Sequence, residues 1–128
     1  AQNLFICAPT VAQYAALAAF TQPALNIFDA RRREFQQRRD ALITGLRAIG
    51  FGIPVIPQGA FYVYAESSKF ADDSYALANR LLNEAGVAAT PGIDFGEASA
   101  ARHIRFAYTT GIDRIEEAIR RLDACLSK

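Results

Sequence analysis

Reactive side chains are scarce in this sequence of 128 residues, which holds one histidine, His103, two cysteines, Cys7 and Cys125, and two lysines, Lys69 and Lys128. A single histidine excludes a multi-histidine metal site, and neither cysteine has a second ligand at metal-binding spacing. Ser67, Ser68, Ser74, Ser99 and Ser127 all lie outside any Gly-x-Ser-x-Gly turn, and His103 has no evident triad order, so hydrolase chemistry is disfavoured. Gly92, Gly96 and Gly111 are too far apart for a dinucleotide fingerprint or a phosphate loop. They read instead as turns that need positive φ. Arg105 is the residue that stands out. Ile104, Phe106 and Tyr108 alternate with His103, Arg105 and Thr109, so the arginine lies mid-strand on the face opposite the apolar residues. Periodicity by itself leaves Arg105 on the solvated face of an antiparallel sheet, with His103 beside it as a surface or second-layer residue.

The elements that must position this strand follow from local signals. Thr10 and Gln13 have capping-box spacing ahead of an alanine-rich run to Phe20, which predicts a helix from about residue 10. Thr21, Gln22 and Pro23 interrupt it. A long second helix then places Phe28, Phe35, Leu42, Leu46 and Ile49 on one stripe and stops at Gly50. Its first half is arginine-rich and its second half apolar, as suits a connector between two packed units. Phe51–Ile56 contains Pro54 and reads as an edge strand or irregular segment, whereas Phe61, Val63 and Ala65 alternate with Tyr62 and Tyr64 as a strand. Asp72, Asp73 or Ser74 caps the next helix, which buries Leu77, Leu81, Leu82 and Ala85 and ends at Gly86. Val87–Thr90 is a brief strand stopped by Pro91-Gly92. Thr110 and Asp113 approximate a capping box for a last helix that buries Ile112, Ile115, Ile119, Leu122 and Leu126. Residues 51–128 thus read as strand, strand, helix, strand, strand, helix. The expected fold class is α+β, a small mostly antiparallel sheet covered by helices on one face and preceded by a long connecting helix.

Composition narrows the function classes. With 52% apolar and 21% charged residues the chain is an ordinary globular one, long enough to bury a core without metal or disulfide. A net charge of +1 argues against a nucleic-acid module, and the arginines between Arg31 and Arg39 read as the solvated face of a helix. No apolar run reaches the ~20 residues of a membrane span, and no secretory signal opens the chain. Two isolated cysteines point to a reducing, cytoplasmic-type compartment with both thiols buried as small apolar groups. The chain contains no methionine and begins with Ala1, which suggests an excised piece.

In chain order, the motifs resemble the C-terminal region of class I/II, fold-type-I pyridoxal-phosphate-dependent aminotransferases. QNLFICAPTVAQYAALAAF at residues 2–20 resembles the last helix of that family's large domain. The run from Arg31 to Phe51 resembles the helix entering the small domain. Pro57-x-Gly59-Ala60-Phe61-Tyr62, LLNEAGVAATPG at 81–92, Phe95-Gly96 and HIRFAY at 103–108 follow, and an amphipathic helix closes with Arg120-Arg121-Leu122. The resemblance divides the chain into residues 1–22 from the large domain, 23–50 as connecting helix and 51–128 as the C-terminal small domain. It implies that Arg105 grips the α-carboxylate of an amino or 2-oxo acid, since a planar guanidinium presents paired donors that match a carboxylate fork.

The same resemblance implies a parent enzyme that binds pyridoxal phosphate, works as a homodimer and moves an amino group between an amino acid and a 2-oxo acid. The family's Schiff-base lysine, the aspartate at the pyridine nitrogen and the phosphate-cradling loop precede this segment. Neither Lys69 nor Lys128 matches the lysine position, so this chain alone is expected to bind no cofactor and to be inactive. Relatives usually carry serine at the position of Ala107 and glycine in the loop where this chain reads Ser99-Ala100-Ala101-Arg102. Residues 1–22, deprived of the large-domain surface, are expected to detach or to self-associate. Two other readings stay open: a standalone α+β small-molecule-binding or regulatory module, and a parent with lyase or decarboxylase chemistry on the same fold.

Overall fold

The computed structural model describes residues 7–127. Its elements in order are α1 (Thr10–Ala18), α2 (Gln22–Ile49), β1 (Tyr62–Glu66), α3 (Ser74–Ala85), β2 (Thr90–Pro91), β3 (His103–Ala107) and α4 (Ile112–Leu126), with 3₁₀ turns at Gly92–Phe95 and Ala100–Arg102 between β2 and β3. The expected α+β class is observed. Two compact units divide the chain at Glu34 and Phe35, within α2.

The first unit contains α1 and the start of α2. Pro9, not Thr10, flanks α1 and has no side-chain acceptor to cap it, and the Gln13 amide donates to the Ala8 carbonyl at 2.7 Å. Thr21 closes the other end by donating from its hydroxyl to the Ala18 carbonyl at 2.8 Å. Pro23 is tolerated beyond this break because the first turn of a helix has no use for its missing N–H. No residue of α1 is buried; Val11, Tyr14, Leu17 and Phe20 are each at least 67% exposed. Cys7 is exposed too, contrary to the expectation for both thiols. Leu4, Phe5 and Ile6, part of the expected apolar start, lie outside the described residues.

The second unit is built on a sheet of order β1-β3-β2, antiparallel throughout. Val63 and Ala65 from β1 and Ile104 and Phe106 from β3 form one face of the sheet, and join a single core with Leu42 and Leu46 of α2, Leu77 and Leu81 of α3, and Ile115 and Leu122 of α4. Each of these side chains larger than alanine contributes roughly 1.5–3 kcal/mol by leaving water. Asp73 caps α3 by accepting from the Tyr75 and Ala76 amides, and Gly86 ends it at φ +64. Gly50 ends α2 at φ +114, with Lys69 donating to the freed Ile49 carbonyl at 3.2 Å. On α4, Arg121 and Arg120 hold the Glu117 carboxyl below its ordinary range, chiefly through the Arg121 hydrogen bond. Cys125 is buried, as expected.

Several local expectations are corrected. Leu82 is 51% exposed and Ala78 takes its place in the core, because the buried stripe of α3 runs Leu77, Ala78, Leu81, Ala85. Gly111 precedes α4 without any side-chain cap, so Thr110 and Asp113 form no capping box, and Ile112 is 37% exposed. The strand expected at Val87–Thr90 lies instead at Thr90–Pro91, where an edge position tolerates proline. Of the two readings of Phe51–Ile56 the irregular segment holds, with only an isolated bridge from Gly52 to Glu66. Phe61 is 48% exposed and precedes β1, after Ala60 turns the chain at φ +62.

Candidate functional site

The sheet face opposite the core carries the polar chemistry. Antiparallel register sets Arg105 of β3 beside Tyr64 of β1 and Thr90 of β2, so these three side chains share that face, with Tyr62 and His103 two positions away. The Arg105 guanidinium carbon lies 5.4 Å from the centre of the Tyr62 ring and 4.8 Å from that of Phe95, which reaches over from the first 3₁₀ turn. Its Nη2 donates to the Thr90 hydroxyl at 3.2 Å, while its Nε is buried without a hydrogen-bond partner. Arg105 is half-buried and forms no ion pair among the described residues. It lines an open cavity of about 420 Å³ together with Tyr62, Tyr64 and Phe95 and the small residues Gly96, Ala98 and Ala100.

The wall around the arginine is fixed by close packing. Tyr64 stacks on the His103 imidazole at 4.9 Å and 5°, and meets Phe95 edge-on at 6.2 Å. His103 Nδ1 lies 2.9 Å from the Ser99 carbonyl, a hydrogen bond that requires the proton on Nδ1. His103 is half-buried and backs the Tyr64 ring without lining the cavity itself. Gly92 is needed for space, not for positive φ: a Cβ there would overlap the Ala100 carbonyl and lie 2.6 Å from the His103 carbonyl and 2.7 Å from the Tyr64 hydroxyl. Gly111, at φ −64, also departs from the positive-φ expectation, while Gly96, at φ +155, fits it. Ser99 takes the left-handed conformation at φ +56, at a small steric cost that glycine would avoid.

Chemically the site presents one guanidinium, at least half its donors free, at the mouth of an aromatic-walled cavity lined by no acidic side chain. Such a site has the charge to receive an anion, and a planar carboxylate would match the fork of a guanidinium. Sequence reasoning singled out Arg105 and missed Tyr62, Tyr64, Thr90 and Phe95. The alternation of Tyr62 and Tyr64 against Val63 was a signal for the first pair. Thr90 depends on strand register, and Phe95 on the path of a loop. Lys69 points its ammonium at the Ile49 carbonyl and lies 5.4 Å from the Phe70 ring centre, away from the residues lining this cavity, and Lys128 lies outside the described residues. Among the described residues no cluster of histidine, cysteine and carboxylate side chains could hold a metal ion, and no helix is long and apolar enough to cross a membrane.

Residues 1–122 match the family model for aminotransferase class I and II. The chain belongs to the class I and II aminotransferases. It is 40% identical over 124 residues to valine–pyruvate aminotransferase of Mycobacterium tuberculosis, covering 97% of this chain and 32% of that protein. It is 42% identical over 121 residues to aspartate/prephenate aminotransferase of Thermus thermophilus, covering 93% of this chain and 30% of that protein. Among solved structures, an aminotransferase from Mycobacterium tuberculosis superposes with a TM-score of 0.88 at 40% identity, over 98% of this chain and 32% of its own. Aspartate aminotransferase from Thermus thermophilus, solved with maleate, superposes with a TM-score of 0.79 at 42% identity, over 91% of this chain and 30% of its own. This aminotransferase chain thus spans about a third of the length of the relatives it matches. The family is pyridoxal-phosphate-dependent and of fold type I, as the sequence resemblance implies.

Proposed function

We propose that this chain is the C-terminal segment of an enzyme that moves an amino group between an amino acid and a 2-oxo acid, and that Arg105 grips the α-carboxylate of either. The observation that carries this reading is the half-buried Arg105 guanidinium, unpaired with any carboxylate among the described residues and open to the aromatic-walled cavity. A half-buried cation gains most when its counter-charge arrives with the substrate. The Thermus thermophilus relative solved with maleate, itself a carboxylate, is consistent with it. Residues 1–22 are then the last helix of the large domain, 23–50 the connecting helix and 51–128 the small domain. Because the family match includes the alanine-rich helix, a standalone binding module is not favoured.

Pyridoxal phosphate supplies an electron sink that stabilises the carbanion left when the substrate's α-proton is removed. The described residues do not by themselves fit that cofactor, since attachment needs a lysine amine in the site and Lys69 lies elsewhere. In this proposal the lysine and the cofactor-binding groups come from the remaining two-thirds of a homodimeric enzyme, and the isolated chain is inactive. What this chain contributes is orientation. Arg105 holds the carboxylate in a fixed plane, and the Tyr62 and Phe95 rings against the guanidinium limit its tilt.

The test is discrimination between a 2-oxo acid and its primary amide, measured on the complete enzyme. The amide keeps one carbonyl acceptor but loses the charge and the second acceptor, so the loss of one charge-assisted hydrogen bond at roughly 1.5–3 kcal/mol predicts a preference for the acid of at least about tenfold in kcat/KM. An amide used within threefold of the acid would remove the carboxylate role from the proposal.

A further inference from the structure

Stacking and hydrogen bonding constrain an arginine in different ways. Contact with the faces of Tyr62 and Phe95 limits the tilt of the Arg105 guanidinium but leaves it free to turn within its own plane, because a π face has no preferred in-plane direction. A directional hydrogen bond removes that freedom. In the described structure one is supplied by the Thr90 hydroxyl, which accepts from Nη2 at 3.2 Å, and strand register sets Thr90 directly opposite Arg105. Nε is buried and closed to any ligand. The donors left for a ligand are both hydrogens of Nη1 and the second hydrogen of Nη2.

From this geometry we infer that Thr90 is a positioning residue: its hydroxyl sets the in-plane orientation of Arg105, so that an acid's carboxylate docks end-on across Nη1 and Nη2. Side-on docking across Nε and Nη2 is closed by the burial of Nε. Thr90 touches neither the substrate nor the cofactor in this assignment and acts through Arg105 alone. The role rests on Arg105 as the carboxylate arginine and names the device that aims it. The hydroxyl is the part of threonine that matters, since valine has the same shape and the same preference for a strand.

Thr90→Val, Thr90→Ser, Arg105→Lys and the double variant Thr90→Val with Arg105→Lys, each made in the complete enzyme, separate the outcomes. With Thr90→Val we expect KM for the 2-oxo acid to rise about tenfold. Its kcat should stay within threefold and its cofactor absorbance should be unchanged, while Thr90→Ser restores KM to within twofold. The double variant should be no worse than Arg105→Lys alone, because a lysine ammonium has no guanidinium plane for Thr90 to orient. A structural role would instead make the two losses multiply, and that result overturns the inference. Unchanged KM in Thr90→Val beside a damaged Arg105→Lys also overturns it while leaving the carboxylate role of Arg105 intact. An undamaged Arg105→Lys removes both. Should Thr90→Val fold poorly, Thr90→Ala is measured in its place, with the same expected rise and the same contrary result.

Discussion

Helices α1 and α4 are both rich in apolar residues, yet they meet opposite fates. α4 repeats Ile115, Leu122 and Cys125 on one face and buries all three, with charged residues outward. α1 sets Ala12, Ala15 and Ala16 on one face and buries nothing, leaving Val11, Tyr14 and Leu17 in the open, with Phe20 exposed just beyond its end. The contrast teaches where the partners of each helix lie. The second unit closes its own core with residues from α2, α3, α4 and the sheet, whereas α1 carries the apolar content of a buried helix without a burying surface in the described structure.

The sharpest way to break this comparison is to truncate one leucine in each region and follow unfolding of the 128-residue chain. Leu81, fully buried in α3, should cost about 2–5 kcal/mol when changed to alanine. Leu17→Ala, on the exposed face of α1, should change stability by no more than about 0.5 kcal/mol. Equal costs would mean that α1 is packed in solution. A smaller effect is expected in sedimentation at rising concentration. Residues 1–22 should draw the isolated chain into self-association, and L17S together with F20S should reduce it, whereas a strictly monomeric parent chain with a protease-resistant α1 would contradict the contrast.

Legibility in the sequence followed the range of the interaction that decides each feature. The Asp73 cap, the Gly86 and Gly50 stops, the break before Pro23 and the alternation in β3 depend on neighbours within a few residues, and all were readable. β2 lies at Thr90–Pro91 and not at the Val87–Thr90 that local propensity predicts, since pairing with β3 decides which residues become strand. Thr10 and Thr110 carried capping-box spacing that the structure does not use, because Pro9 and Gly111 take the flanking positions. Arg105 was visible as a residue, and its carboxylate role came only from the family resemblance. Thr90 and Phe95 could not be found, because register and the 3₁₀ turns of residues 92–102 bring them to the arginine.

The central claim is that Arg105 holds the substrate's carboxylate, and Arg105→Lys in the complete enzyme tests it most directly, because the charge is kept while the fork is lost. Losing one charge-assisted hydrogen bond at roughly 1.5–3 kcal/mol predicts a fall in kcat/KM of about 10- to 200-fold, with the cofactor absorbance unchanged. Loss of orientation at the α-carbon adds to it. A variant that keeps its cofactor and a kcat/KM within threefold of the parent would make Arg105 an ordinary surface arginine and place the carboxylate elsewhere.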